Sequence, residues 1–278
     1  MRTICLVVSL LFSGCLAPGP PPGLYAVVDL RSGEIRQLPG QPADLLANAE
    51  YRTTKMVFRH VAAGTFTMGA PQAERQRPHV DETQHQVTLS SAFCLGVFEV
   101  TQGQWQTVMG GAGRAADDQP AVNVSWHDCG GFIRALNRGR EGAAFRFPTE
   151  AEWEYACRAG STGAYAGAGV LDDLGWCAEN SGQSMKPVGL KKPNAWGLYD
   201  MHGNVMEWCS DWYGAYPRGE VVAPAGPAAG TDRVERGGSW YNQGRFSRSA
   251  DRNMHDPATS SHHLGLRLVL AAPEGKAR

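Results

Sequence analysis

Phe145-Arg-Phe-Pro-Thr-Glu-Ala-Glu-Trp-Glu-Tyr155 contains a helix start that can be read residue by residue. Thr149 is the cap and Glu152, at the third helical position, reaches back to it, so this full capping box opens a helix running through Cys157. Upstream, Ser125 with Asp128 makes a near capping box, and Cys129, Phe132, Ile133 and Leu136 follow at i, i+3, i+4 and i+7, an amphipathic stripe. Thr101 caps a third helical stretch whose Trp105, Val108 and Met109 share one face. All three helices are short and serve packing.

Around them the chain alternates in the two-residue rhythm of strands. Tyr25–Gln37 reads as a hairpin about Ser32-Gly33, followed by a polar connection from Gln41 to Thr54. Val57–Val61, Gly64–Gly69, Gln86–Phe93, Gly96–Val100 and Leu264–Leu270 read as further strands. Trp-rich loops punctuated by Gly, Asn and Pro fill the interval after Cys157. With 34 Gly and 17 Pro in 278 residues, the fold class is α+β with little regular secondary structure.

The chain is long enough, at 42% hydrophobic residues, to bury a substantial core. Its 26 Lys and Arg nearly cancel 27 Asp and Glu without any run of like charge, which argues against nucleic acid as a partner.

Met1-Arg2-Thr3 and the apolar stretch Ile4–Phe12 form a signal peptide over residues 1–14, too short for a stable membrane span. Ser13-Gly14-Cys15 resembles a bacterial lipobox, which makes Cys15 the lipidation site; the alternative is a plain exported protein cut nearby. Residues 15–55 then comprise the lipidated cysteine, a stiff Pro/Gly spacer and the hairpin. Either version places the domain in the bacterial cell envelope or outside it, membrane-anchored, periplasmic or secreted. Cys94, Cys129, Cys157, Cys177 and Cys209 follow no zinc spacing and read mostly as buried small apolar residues.

An ordered set of motifs carries a resemblance. Gly64-Thr-Phe-Thr-Met-Gly69, Phe98-Glu-Val-Thr-Gln102, Val124-Ser-Trp126, Phe145–Tyr155, Asn194–Trp208, Arg236-Gly-Gly-Ser-Trp240 and Leu264-Gly-Leu-Arg267 together resemble the formylglycine-generating enzyme, or sulfatase-modifying factor, domain. The resemblance spans residues 56–271, leaving 272–278 as a tail, and implies that family's variant of the C-type lectin fold. Within the family it implies several chemistries: copper-dependent oxidation of a sulfatase cysteine, iron-dependent sulfoxide synthesis, and a siderophore-maturation step.

The copper reaction needs two cysteines just after the Gly-Gly-Ser, because paired thiolates are soft ligands that select Cu(I). Here Gly237-Gly238-Ser239 continues as Trp240-Tyr241-Asn242-Gln243-Gly244 in a shortened loop with no thiol. Copper and formylglycine synthesis are therefore not expected. The iron branch draws its ligands from an additional helical domain that the described motifs do not include, so iron stays undecided. His262-His263 reads either as a metal pair or as an ordinary surface pair.

The resemblance also implies a structural calcium held by Asp200, the carbonyls of Gly203 and Val205, and Glu207, oxygen donors suited to a hard cation. The alternative is that both acids accept hydrogen bonds within the loop. Asn180 matches a second calcium loop that lacks its acidic partner. A family disulfide from the Cys157 position cannot form, because its partner position is Leu268.

The resulting expectation is an exported, lipid-anchored family member without copper cysteines, binding a peptide or small molecule in a groove formed by Ser239, Trp240, Asn242 and Arg252. Arg252 would fork onto an anion or, alternatively, tie loops together. The competing readings are an oxidoreductase with another metal site and a scaffold in an envelope assembly.

Overall fold

The computed structural model describes residues 24–74, 81–110, 117–140, 145–167 and 169–271. The leader, Cys15, the Pro/Gly spacer, His79 and the tail lie outside the described residues. In chain order the first half forms β1 (Tyr25–Asp29), β2 (Ile35–Leu38), β3 (Lys55–Val61), β4 (Gly64–Met68), β5 (His85–Leu89), β6 (Phe93–Gly96), α1 (Gln102–Met109) and α2 (Trp126–Asn137). The second half forms β7 (Phe145–Arg146), α3 (Glu150–Arg158), α4 (Leu171–Leu174), β8 (Met206–Trp212), β9 (Val221–Val222), β10 (Arg233–Arg236), β11 (Asn253–His255), β12 (Leu264–Gly265) and β13 (Val269–Ala271).

Three sheets result: β2-β1-β3-β6-β13-β7, β11-β10-β8-β12 and β4-β5-β9. The hairpin turns where expected, at Gly33 with a φ of 81°. It is continuous with the main sheet, since Val27 of β1 pairs with Val57 of β3.

Alternation explains how the largest sheet is covered on both sides. Ala26, Val28, Met56, Phe58 and Cys94 face the apolar stripe of α2, Cys129, Phe132, Ile133 and Leu136. Val61, Phe93 and Leu95 instead pack with Trp153, Ala156 and Cys157 of α3. All three anticipated caps close complete capping boxes at Thr101, Ser125 and Thr149.

Four sequence expectations need correction. Met109 does not share the packed face of Trp105 and Val108 but is 46% exposed at the end of α1. Leu264–Leu270 is not one strand: β12 pairs with β8, and β13 pairs with β6, so the chain passes from one sheet to another at residues 266–268. Gly96–Val100 likewise leaves the ladder after Gly96, and the segment read as Trp-rich loop contains β8, the centre of the four-stranded sheet.

Candidate functional site

The turn from Asp200 to Glu207 is shaped by three left-handed residues, Asp200 (φ 59°), Gly203 (φ 137°) and Asn204 (φ 69°). Gly203 has no room for a side chain, because a Cβ there would lie 2.2 Å from the Trp176 carbonyl oxygen. Asn204 Nδ2 donates to Glu99 Oε2 at 2.7 Å, and the Val205 N–H donates to Glu99 Oε1 at 3.0 Å. Asp200 Oδ2 accepts the Gly189 N–H at 2.7 Å, while its buried Oδ1 has no hydrogen-bond partner.

Glu207 at the start of β8 is differently committed. Arg267 forks onto it, with Nη2 at 2.7 Å from Oε1, and the Trp153 indole N–H donates to Oε2 at 2.7 Å. Burial raises the Glu99 carboxyl well above its usual range, and Asp200 and Glu207 push the same way against Arg267. Asp200 is likewise raised, to about 6, chiefly by burial.

The unpartnered oxygen of Asp200 is chemistry a hard cation would satisfy. Glu207 would join only by exchanging Arg267 for the ion. Among the described residues no group of three or more His, Cys, Asp or Glu side chains is arranged to hold a metal. Asn180 is used to close its own turn: Oδ1 accepts the Cys177 N–H at 2.9 Å, and Nδ2 donates to Asp172 and to the Gly175 carbonyl.

The Ser239–Asn242 loop is fastened to that turn. The Trp240 N–H donates to the Asn204 carbonyl at 2.8 Å, and Ser181 Oγ donates to the Trp240 carbonyl at 2.9 Å. Ser239 Oγ donates to Asn242 Oδ1 and accepts the Tyr241 N–H, which makes a tight, self-bonded turn. On its outer side the rings of Trp240, Tyr241, His262 and His263 cluster: Trp240 lies 5.4 Å from His262, and Tyr241 stacks on His263 at 5.5 Å. Tyr241 is 60% exposed. Cys177, whose neighbour Ala178 donates its N–H to the Asn242 carbonyl, is a free, buried thiol pushed up to about 11 by that burial.

Ser239, Trp240 and Asn242 are thus brought together, and Arg252 belongs to another neighbourhood. Its guanidinium forks onto Glu150, Nε to Oε1 at 2.6 Å and Nη2 to Oε2 at 2.8 Å, donates to the Gly214 carbonyl, and lies under Tyr216. That is the loop-tying arrangement. Glu150 is shared with Arg236, which also pairs with Glu154, itself bonded to Arg158. The roles of Glu99, Asp211 and Arg267 were missed from sequence, although Glu99 and Arg267 both stand inside the quoted motifs. Cys157 is a buried thiol beside His202 and Ser249, pushed up to about 12 by burial, with Leu268 buried as well.

Known proteins share this fold. Residues 42–272 match the family model of the sulfatase-modifying factor enzyme 1-like domain. The formylglycine-generating enzyme of Streptomyces coelicolor is 38% identical over 172 residues, covering 55% of this chain and 52% of the enzyme, so the chain spans about half the length of that relative. The chaperone protein LppX of Paenibacillus barcinonensis is 29% identical over 239 residues, covering 66% of this chain and 81% of LppX. Among solved structures, Treponema denticola variable protein 1 superposes with a TM-score of 0.70 at 28% identity, covering 79% of this chain and 96% of that one. PvdO from Pseudomonas aeruginosa gives a TM-score of 0.67 at 29% identity, over 78% of this chain and 94% of PvdO. The chain belongs to the formylglycine-generating enzyme family, that of the sulfatase-modifying factor domain, and has its α+β fold.

Proposed function

We propose that the protein is an exported, lipid-anchored member of this family that does not make formylglycine and instead binds a peptide or small molecule at the Ser239–Asn242 turn. The observation that carries this reading is the turn itself: with the Ser239 hydroxyl buried and bonded to Asn242, it presents the exposed Tyr241 ring and its aromatic neighbours where the copper reaction needs paired thiolates. Trp240 and Tyr241 supply rigid contact area at low entropic cost, with His262 and His263 beside them. That a relative is named a chaperone supports a binding role. Among the described residues no helix is long and apolar enough to cross a membrane, so attachment rests on the proposed lipid at Cys15.

Calcium, bound through Asp200, the Gly203 and Val205 carbonyls and Glu207, would stiffen the turn on which Trp240 is hung. A second reading, an oxidoreductase with another metal, draws support from His263, whose imidazole is held down to about 4 by burial and so stays a neutral donor next to His262.

The deciding experiment incubates purified protein with copper and a Cys-x-Pro-x-Arg sulfatase peptide and measures aldehyde by mass spectrometry, with metal content determined in parallel. Binding without turnover, lost in Trp240→Ala, is the expected result. Aldehyde formation with bound copper overturns the proposal, and stoichiometric iron or copper with oxygen uptake favours the second reading.

A further inference from the structure

Behind Arg252, away from the Ser239 turn, lies a cavity of about 290 Å³. Its walls are largely apolar, made by Trp212, Tyr216, Pro217, Pro224 and Pro227, and the buried Asp211 is among the residues that line it. This size, with apolar walls and few polar groups, is at the lower end of what small-molecule sites use.

The charges on the lining are unequally matched. Arg252 and Arg236 both pair with Glu150, and the Tyr216 hydroxyl donates to it as well. Asp211 receives only neutral donors: the Glu150 N–H at 2.9 Å and the Ser210 hydroxyl at 2.9 Å, both on Oδ2. Among the described residues no hydrogen bond reaches its Oδ1. Gly226 keeps the approach to that oxygen open, since a Cβ there would lie 3.3 Å from Oδ1 and 2.9 Å from the Asp211 Cβ.

Arg233, outside the lining, is turned to the Ser210 carbonyl and lies over the Trp212 ring. A buried carboxylate with no ion-pair partner among the described residues, under an aromatic and proline wall, lacks one thing a ligand can bring: a positive charge carrying N–H donors. An anion would meet Asp211 and an Arg252 already saturated by Glu150.

We infer that this cavity is a binding site for a small organic cation, an alkylammonium group whose nitrogen meets Asp211 Oδ1 while its carbon chain lies along Trp212 and the prolines. Burial, with Glu150 second, raises the Asp211 carboxyl to about 7, an energetic cost that a cationic partner would relieve. The groups facing Asp211 are Glu150 and Glu152 from α3, Arg233 from β10, and Arg252, His85 and Tyr216 around the cavity.

The test is calorimetric titration of the whole protein with n-butylammonium, n-butanol and butyrate, which share a chain and differ in head group. Saturable butylammonium binding is expected, at least tenfold tighter than butanol, with butyrate not bound and the affinity falling as pH drops from 8 to 6. Asp211→Asn, whose amide oxygen still accepts the Glu150 N–H, should weaken butylammonium at least tenfold, and Ala215→Trp, on the exposed rim, should block entry without touching the core. Equal affinity for butanol, an unaffected Asp211→Asn variant, or no saturable binding by the folded wild type would each overturn the assignment. None of these outcomes bears on the Ser239 turn, which shares no residue with the cavity lining.

Discussion

Glu207 and Arg267 form a fully buried forked ion pair that ties β8 to the crossing between β12 and β13, and Trp153 of α3 closes it from the third side. Arg267 also donates to the carbonyls of Gly96 and Tyr199, so one guanidinium joins two sheets and the Asp200 turn. Removing one partner of such a pair strands a buried charge, at about 3–5 kcal/mol. Arg267→Met should therefore lower unfolding stability by about that much in urea melts. Glu207→Gln combined with Arg267→Met should recover part of the loss, because no net charge is then left inside. An additive double variant would show that the carbonyl contacts, not the ion pair, matter most.

Asp211 predicts an opposite kind of effect. Its carboxyl is raised to about 7, first by burial and then by Glu150, whereas an unfolded aspartate titrates near ~3.9. Between those values the folded chain keeps a proton that the unfolded chain has lost, so this group favours folding increasingly as pH falls from 7 toward 4. Above pH 7 the full penalty remains, on the order of 4 kcal/mol from the size of the shift. Asp211→Asn should then raise stability at pH 8 by a few kcal/mol, with the gain fading toward pH 4, as measured by thermal melts across that range. A pH-independent effect of the substitution would contradict the assignment.

What the sequence revealed depended on whether the governing interaction was local. Thr149 with Glu152, and Ser125 with Asp128, are neighbours along the chain, and their capping boxes formed as read. The α2 stripe likewise needs only the helical period. β8 was hidden because Met206, Trp208 and Cys209 are buried together with Glu207 and Asp211, so no apolar alternation marks the strand. The grouping of Arg252 with Ser239 failed for a related reason: the two lie thirteen positions apart in sequence, and the partner that claims the guanidinium, Glu150, comes from α3. The motifs named the family and its fold, while the partners of each buried charge became visible only in three dimensions.

The cysteines give a third prediction. Cys94, Cys129, Cys157, Cys177 and Cys209 are all buried and unpaired, and burial raises each thiol above its ordinary value. Thiolate is the reactive form, so native protein should leave all five unmodified by iodoacetamide over a time that fully labels them in urea. Peptide mapping by mass spectrometry reads each site separately. Rapid native labelling of Cys157, or its recovery as a disulfide, would contradict the buried arrangement beside His202.

Calcium provides the last test, and it turns on Asp200. If the ion is held as proposed, its binding to the folded chain alone stabilises by about 2.7 kcal/mol when calcium is at 100 times its dissociation constant. The unpartnered Asp200 Oδ1 is the donor with nothing to lose, whereas Glu207 must release Arg267 and Trp153. Asp200→Asn keeps an oxygen for the Gly189 N–H but removes the charge, so it should abolish most of the calcium-induced rise in melting temperature. Arg267→Met, by freeing Glu207, should enlarge that rise relative to its own calcium-free baseline. Melting curves of the three proteins with calcium and with chelator measure both effects, and a wild type indifferent to calcium removes the ion from the account.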